Sequence, residues 1–356
     1  MSEVIVITSG KGGVGKTTTT ANLGMGLAMR GKNVVLVDTD TGLRNLDLLL
    51  GLENRIMYDL IDVTQGRVPY KKALVRHKKV ENLFLLPTSQ VKDKSAVNPE
   101  ELVKLCEELR KEFDYILIDC PAGIEQGFQT AIAAADVAIV VTMPEISAVR
   151  DADKIIGELG RADKENIKLI VNRIRPQMVE SGDMLDMDDI NDILSIDCIG
   201  QVPDDKMVIT STNRGEPCIT MDKSTAGQAY RNIVGRLLGE KVPFMTFPKE
   251  GFFSRLKHVF GMSGGRRMLN ALMKIFGKKE PSGKVARDRL KVVLIHDRAS
   301  VSPEVMDHLR RDILDVVGRY LDINPEEMDI SLANDEDSVA LVANIPVTNL
   351  RHGGKR

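Results

Sequence analysis

The sequence predicts an α/β protein: a doubly wound, mostly parallel sheet with a phosphate-type loop, followed by amphipathic linker helices and a small α+β unit. Three observations carry this expectation. Short apolar runs recur through the first two-thirds of the chain, stretches of helical length separate them, and a glycine-rich loop directly follows the first run. The runs are Val4-Ile5-Val6-Ile7, Val34-Val35-Leu36-Val37, Leu83-Phe84-Leu85-Leu86, Tyr115-Ile116-Leu117-Ile118, Val137-Ala138-Ile139-Val140-Val141 and Leu169-Ile170-Val171. They are apolar on consecutive positions rather than on alternate ones, as strands buried on both faces of a parallel sheet must be. Between them, residues 17–30, 99–112 and 149–160 read as helices. A layer of this kind binds its ligands at the carboxyl ends of the strands.

At 356 residues the chain suits two or three domains. The division read from composition is 1–245 for the α/β domain, 246–283 for amphipathic segments and linkers, and 284–356 for the α+β unit. An apolar fraction of 43% and a charged fraction of 28% are those of ordinary globular protein. A formal net charge of -2 gives no global basic character, so no specific nucleic-acid partner is expected and any basic function is local. Cys106, Cys120, Cys198 and Cys218 form no C-x-x-C pair, which favours reduced thiols in a cytosolic protein over disulfides or a metal cluster. Met1 leads straight into a strand pattern with no secretory signal. No apolar run approaches the roughly 20 residues that span a bilayer, so any membrane attachment lies in the interface plane.

The C-terminal unit opens with an apolar run over 290–295. Ser302 and Pro303 then supply an N-cap and a first-turn proline. Helical spacing follows at Met306, Leu309, Ile313, Val317 and Tyr320, and two alternating strands close the unit, one with Met328, Ile330 and Leu332, the other with Val339, Leu341, Ala343 and Ile345. One helix on so short an open sheet makes a marginal core, so the unit is expected to pair with a second copy.

The loop after the first run, Gly10-Lys11-Gly12-Gly13-Val14-Gly15-Lys16-Thr17, satisfies G-x-x-x-x-G-K-[ST] in the strand–loop–helix setting that motif requires. The glycines let backbone N–H groups converge on phosphate oxygens, and Val14 and Thr18 complete the nucleotide-binding stretch. Lys16 is placed to bridge the β- and γ-phosphates of ATP, and Thr17 to offer its hydroxyl to Mg²⁺. Three carboxylates sit at strand ends. Asp119 fits the Walker B position and, with Asp38, is expected to hold the metal. Asp40 is placed to orient the attacking water. A strand-end carboxylate equally serves as a helix N-cap, and for Asp38 both readings stand. Asn172 and the Pro203-Asp204 turn are expected to frame the adenine.

Lys11 departs from the general motif and is the signature of the deviant Walker A group. With Gly42-Leu43-Arg44-Asn45-Leu46-Asp47, Asp119-Cys120-Pro121-Ala122-Gly123-Ile124-Glu125 and Val149-Arg150-Asp151-Ala152-Asp153, it closely resembles the MinD family of bacterial division-site-selection ATPases over residues 1–262. The resemblance implies an ATP-dependent homodimer that binds the inner face of the cell membrane, recruits a MinC-like division inhibitor and hydrolyses ATP when a MinE-like activator docks. It implies that Lys11 reaches the partner's nucleotide, making Lys11, Lys16 and Asp40 the catalytic set. It also places Arg44, Asn45 and Asp151 near the edge where partners bind. The remaining chain resembles the MinE family: 268–279 its membrane-contacting start, 287–293 its MinD-engaging segment with Arg289, Leu290 and Val293, and 301–347 its dimerising domain. The departure is covalent joining, which leaves activation in cis or in trans open.

Two segments suit an anionic bilayer surface. Phe252, Phe253, Leu256, Val259 and Phe260 fall within about 120° of a helical wheel, flanked by Arg255, Lys257 and His258. Leu269, Leu272 and Phe276 mark a second face ringed by lysines and arginines. Residues 284–295 fit both a strand and an amphipathic helix, which suggests a two-state element. Rival readings are a DNA-binding partitioning ATPase, which would lack the aromatic tail, and a nucleotide-binding membrane scaffold without turnover.

Overall fold

The computed structural model describes residues 2–40, 45–89 and 97–245 and, near the C-terminus, 311–314, 316–317, 321–323, 329–335, 338–345 and 347–350. Arg44, both amphipathic membrane segments and 284–295 lie outside the described residues. The chain divides into two compact units, Met1–Arg287 and Asp288–Arg356.

In the first unit eight strands form one sheet: β1 (Glu3–Thr8), β2 (Val34–Asp38), β3 (Val75–Arg76), β4 (Leu83–Leu86), β5 (Tyr115–Asp119), β6 (Val137–Thr142), β7 (Ile167–Ile174) and β8 (Asp197–Pro203). Their order is β3-β4-β2-β5-β1-β6-β7-β8. Every pairing is parallel except that of β3 with β4. All six apolar runs became strands. Val4–Ile7, Val34–Val37 and Ile116–Ile118 are at most 1% exposed, so both faces of the central strands are covered. Consecutive burial of this kind, at about 1.5–3 kcal/mol per large side chain, is what selects the parallel sheet. The two strands that no apolar run announced, β3 and β8, are the edges. There burial is partial, and β8 reads Asp-Cys-Ile-Gly-Gln-Val-Pro without a hydrophobic run.

The helices in chain order are α1 (Lys16–Met29), α2 (Leu46–Leu49), α3 (Leu60–Thr64), α4 (Tyr70–Ala73), α5 (Pro99–Leu109), α6 (Gln126–Ala133), α7 (Ile146–Arg161), α8 (Pro176–Glu180), α9 (Met187–Leu194), α10 (Lys206–Asn213) and α11 (Thr225–Leu237). Helix α5 starts where its sequence says it should: the Asn98 side chain accepts from Glu100 N–H, Glu101 reaches back to Asn98 N–H, and Pro99 fills the first turn. Helix α7 begins at Ile146, three residues before the expected start, because Met143-Pro144-Glu145 turns the chain directly off β6. Helix α1 is buried between sheet and α11. A Cβ on Gly24 would lie 2.3 Å from Leu36, and one on Gly26 2.7 Å from Val234, so glycine permits both approaches.

In the second unit, 311–314 and 316–317 are helical. Strands β10 (Asp329–Asp335) and β11 (Ser338–Asn344) pair antiparallel from Asp329↔Asn344 to Asp335↔Ser338. These are the two expected strands. The structure adds β9 (Leu321–Ile323) and β12 (Val347–Leu350), an antiparallel pair that alternation could not reveal in three and four residues. Among the described residues no helix is long and apolar enough to cross a membrane.

Candidate functional site

The phosphate loop hangs between β1 and α1, at the carboxyl end of the sheet. Gly13 and Gly15 have φ of 79° and 103°, and Gly15 is the residue on which α1 opens. A side chain is excluded at Gly15 twice over: by that backbone angle, and because a Cβ would lie 2.3 Å from Asn172 Nδ2. Lys16 is 7% exposed and its Nζ donates to Ser9 Oγ at 3.0 Å, while Ser9 Oγ donates to the Lys11 carbonyl at 2.8 Å. Ser9 thus holds the loop around the buried ammonium. Lys11 behaves differently. It is exposed, and its Nζ donates to Ser147 Oγ in α7 at 3.1 Å. Alongside, Gly10 packs against the same helix so closely that a Cβ would sit 2.3 Å from the Asp151 carbonyl oxygen.

Two carboxylates converge beneath the loop. Asp38 ends β2, Asp119 ends β5, and they are register partners, 2% and 1% exposed. Burial, opposed by hydrogen bonding to Thr17, the Lys16 ammonium and Thr20, pushes Asp119 up to about 6. Burial and then the charge of Asp119 hold the Asp38 carboxyl well above the usual carboxylate range. Thr20 Oγ1 donates to Asp119 Oδ1 at 3.1 Å, and Asp40 N–H donates to Asp38 Oδ1 at 3.0 Å. Two buried carboxylates that each disfavour ionisation, beside a threonine hydroxyl, form a donor set suited to a divalent cation. Mg²⁺ takes one or two carboxylates, which such a pair can supply, and completes its shell with water and phosphate oxygens. Cys120 is buried, and its thiol is pushed up to about 12 by that burial, which disfavours the thiolate.

Beside the loop lies a cavity of about 460 Å³ lined in part by Gly15, Thr18, Asn172, Pro203, Asp204 and Tyr230. Five of these six were singled out from sequence. Asn172 Nδ2 donates to the Val14 carbonyl at 2.8 Å, which ties the end of β7 to the loop. Arg173 follows in the left-handed region at φ 57°, and Arg175 Nε donates to Asp204 Oδ2 at 2.7 Å. The structure thereby gathers Gly10 through Thr18, Asp38, Asp119, Asn172, Pro203 and Asp204 around one end of the sheet. Asp40 is half-buried next to Asp38, Asn45 is exposed at the start of α2, and Asp151 faces Gly10. Sequence reading missed Ser9, Thr20, Arg173, Arg175 and Tyr230. Arg173 directly follows Asn172, Arg175 lies two residues further on, and both could have been read with it. Tyr230, whose hydroxyl lies 3.2 Å from Thr19 Oγ1, sits in α11, and no local signal announces it.

Fold and loop together define a P-loop nucleotide-binding protein of the deviant Walker A kind. Residues 2–171 match the model of an AAA domain, and residues 269–347 match that of the septum formation topological specificity factor MinE. The septum site-determining protein MinD of Bacillus subtilis is 55% identical over 268 residues, 74% of this chain and 99% of that protein. The MinC:MinD complex of Aquifex aeolicus contains a chain 51% identical, covering 69% of this chain and all of that one, with a TM-score of 0.66. MinD complexed with Mg-ADP from Pyrococcus horikoshii is 31% identical over 67% of this chain and 96% of its own, with a TM-score of 0.61. The chain belongs to the MinD family of septum site-determining ATPases and carries a MinE domain in the same polypeptide.

Proposed function

We propose that this chain is an ATP-driven switch that dimerises around nucleotide, holds an anionic membrane surface while loaded, and carries its own activator. The observation that carries this reading is the unequal pair of lysines. Lys16 is buried in the phosphate cradle, while Lys11 projects from the same loop to the neighbouring helix α7. A loop lysine of this placement is free to exchange Ser147 for a partner's triphosphate when two copies meet face to face.

In the proposed reaction the loop N–H groups and Lys16 hold the β- and γ-phosphates. The partner's copy of Lys11 meets charge developing on the transferring phosphoryl group, as an arginine finger does. Asp40 orients the attacking water. Thr17, Asp38 and Asp119 would hold Mg²⁺, which supplies neutralisation of the phosphate oxygens. Asn172, Pro203 and Asp204 frame the base. The MinC:MinD complex of Aquifex aeolicus supports a MinC-like partner, and the fused MinE domain supports an activator working in cis or in trans. Arg44, Asn45 and Asp151 on the ATPase, with Arg289, Leu290 and Val293 on the activator, are the proposed docking residues.

Membrane capture rests on the aromatic segment from Phe252 to Phe260 and on Leu269, Leu272 and Phe276. One short amphipathic helix binds weakly, and a dimer presents several at once, so ATP binding becomes membrane residence by effective concentration. On this reading the protein cycles between cytoplasm and the inner face of the cell membrane, and the 284–356 unit adds a second dimer contact. Vesicle sedimentation tests it. The full chain should pellet with anionic vesicles in ATP and not in ADP, and a chain ending at Met262 should do the same. Phosphate release should rise with vesicles. Release that is equal with and without them indicates constitutive activation, and none in either condition indicates a scaffold; both refute the proposal.

A further inference from the structure

A second cavity, of about 440 Å³, opens at the opposite end of the domain. Its walls come from α1, the residues after α2, the turn joining β3 to β4, and the segment that follows α10. Met25 lies nine residues after Lys16 on α1, which puts this cavity roughly 14 Å further along the helix axis at 1.5 Å per residue. It shares no residue with the phosphate loop or with the cavity beside that loop. The two walls approach closely at Gly51 and Gly215, where a Cβ on Gly215 would lie 2.8 Å from the Gly51 Cα. An ion pair between Lys79 and Glu216 ties them together on the surface.

The floor is apolar, with Met25, Leu50 and Val80, while the rim is cationic. Glu216 occupies Lys79. The side chains of Lys78 and Arg214 donate to no acceptor among the described residues and come from opposite walls of the same opening, with Arg214 in electrostatic reach of Glu216. His77, 8% exposed, lines the same cavity. Its Nδ1 accepts from the N–H groups of Lys79 and Val80 at 3.3 and 3.1 Å. With Nδ1 an acceptor, the neutral ring carries its proton on Nε2, which donates to no acceptor among the described residues. Burial, and then the charges of Lys79 and Lys78, keep His77 below the ordinary histidine range, consistent with that neutral form.

We propose that this cavity binds a small organic phosphate monoester. Lys78, Lys79 and Arg214 set against Glu216 leave the rim a net charge of two, which matches a phosphate dianion. Lys78, Arg214 and His77 all line the cavity and supply donors for phosphoryl oxygens. The apolar floor takes the organic body, and a cavity within the roughly 300–1,000 Å³ of small-molecule sites is larger than inorganic phosphate alone would fill. The site is independent of the proposed ATPase chemistry.

The test uses the full chain saturated with Mg²⁺ and ADP, so that the phosphate loop is filled. The five histidines give few ring signals, and that of His77 is assigned by its loss in His77→Gln. Phenyl phosphate is titrated while the His77 ring proton shift is followed by NMR. A saturable shift is expected. Binding should fall at least about tenfold in Lys78→Ala and in Arg214→Ala, each of which removes one charge-assisted contact from an exposed position. Benzoate, which keeps the ring and halves the charge, and inorganic phosphate, which lacks the ring, should each bind at least about tenfold more weakly. The proposal is overturned if His77 shows no saturable shift, if sodium chloride at equal ionic strength moves it equally, if benzoate matches phenyl phosphate, or if both alanine variants bind unchanged.

Discussion

Replacing Asp119 by asparagine should make the nucleotide-free protein more stable while removing its response to Mg²⁺ and ATP. Asp119 is 1% exposed, and burial raises its pKa from 3.8 to about 6. In the unfolded chain the carboxyl ionises at its ordinary pKa, whereas in the fold it stays protonated for about two further pH units. Between pH 4 and 6 the folded state therefore binds more protons than the unfolded state, and stability falls as pH rises, levelling off above about 6. At about 1.4 kcal/mol per unit, the ionised carboxylate costs up to about 3 kcal/mol at neutral pH. Asparagine keeps the shape and an acceptor for Thr20 but carries no charge. Its amide needs an acceptor of its own, so about 3 kcal/mol is the ceiling. For a domain of this size that corresponds to a rise of up to roughly 6–12 °C in Tm. The assay is thermal unfolding from pH 4 to 8, without nucleotide and then with Mg²⁺ and ATP. Asp119→Asn should melt higher above pH 6, show a shallower fall between pH 4 and 6 because the raised Asp38 carboxyl alone still contributes, and gain less from ligand than the parent. A variant no more stable than the parent at pH 7, with the parent's pH slope intact, refutes the reasoning.

Other consequences follow from single contacts. Lys11→Ala should bind fluorescent ATP analogues within a few-fold of the parent, yet lose about 10³-fold or more in phosphate release if the side chain acts as a finger. Gly15→Ala forces a side chain into φ 103° and against Asn172 Nδ2, so nucleotide binding measured by calorimetry should vanish. Arg236 donates to the carbonyls of Val242, Ile199 and Pro243 and stacks 4.0 Å from the Phe244 ring centroid. Arg236→Ala should destabilise the ATPase domain by about 1–3 kcal/mol, and hydrogen exchange should rise first over residues 240–245.

The central strands were legible because burial on both faces leaves an unbroken apolar run, as in Val34–Val37, and few other structures tolerate one. The edges were not. Strand β8 is half-covered, β3 is two residues long, and β9 and β12 in the second unit carry too few residues for alternation to register. The phosphate loop was legible for a different reason. Its chemistry requires particular residue types at fixed spacing along one short stretch, so Gly10 through Thr17 announce it without tertiary information. Asn172 and Pro203-Asp204 line the cavity beside the loop because strand ends in a doubly wound layer converge on one crevice.

What the sequence by itself determined was the layer, the loop and the family, since each is written in local periodicity or in contiguous motifs. Only the tertiary structure decided that Asp38 and Asp119 become neighbours, that Lys11 rests on Ser147 while Lys16 is buried on Ser9, and that Tyr230 reaches the cavity beside the phosphate loop from α11. The same holds for Arg214, which lies more than a hundred residues from His77 and Lys78 yet shares one opening with them. These relations depend on strand order and helix packing, and chain-distant side chains acquire a common electrostatic environment only once the backbone between them has folded.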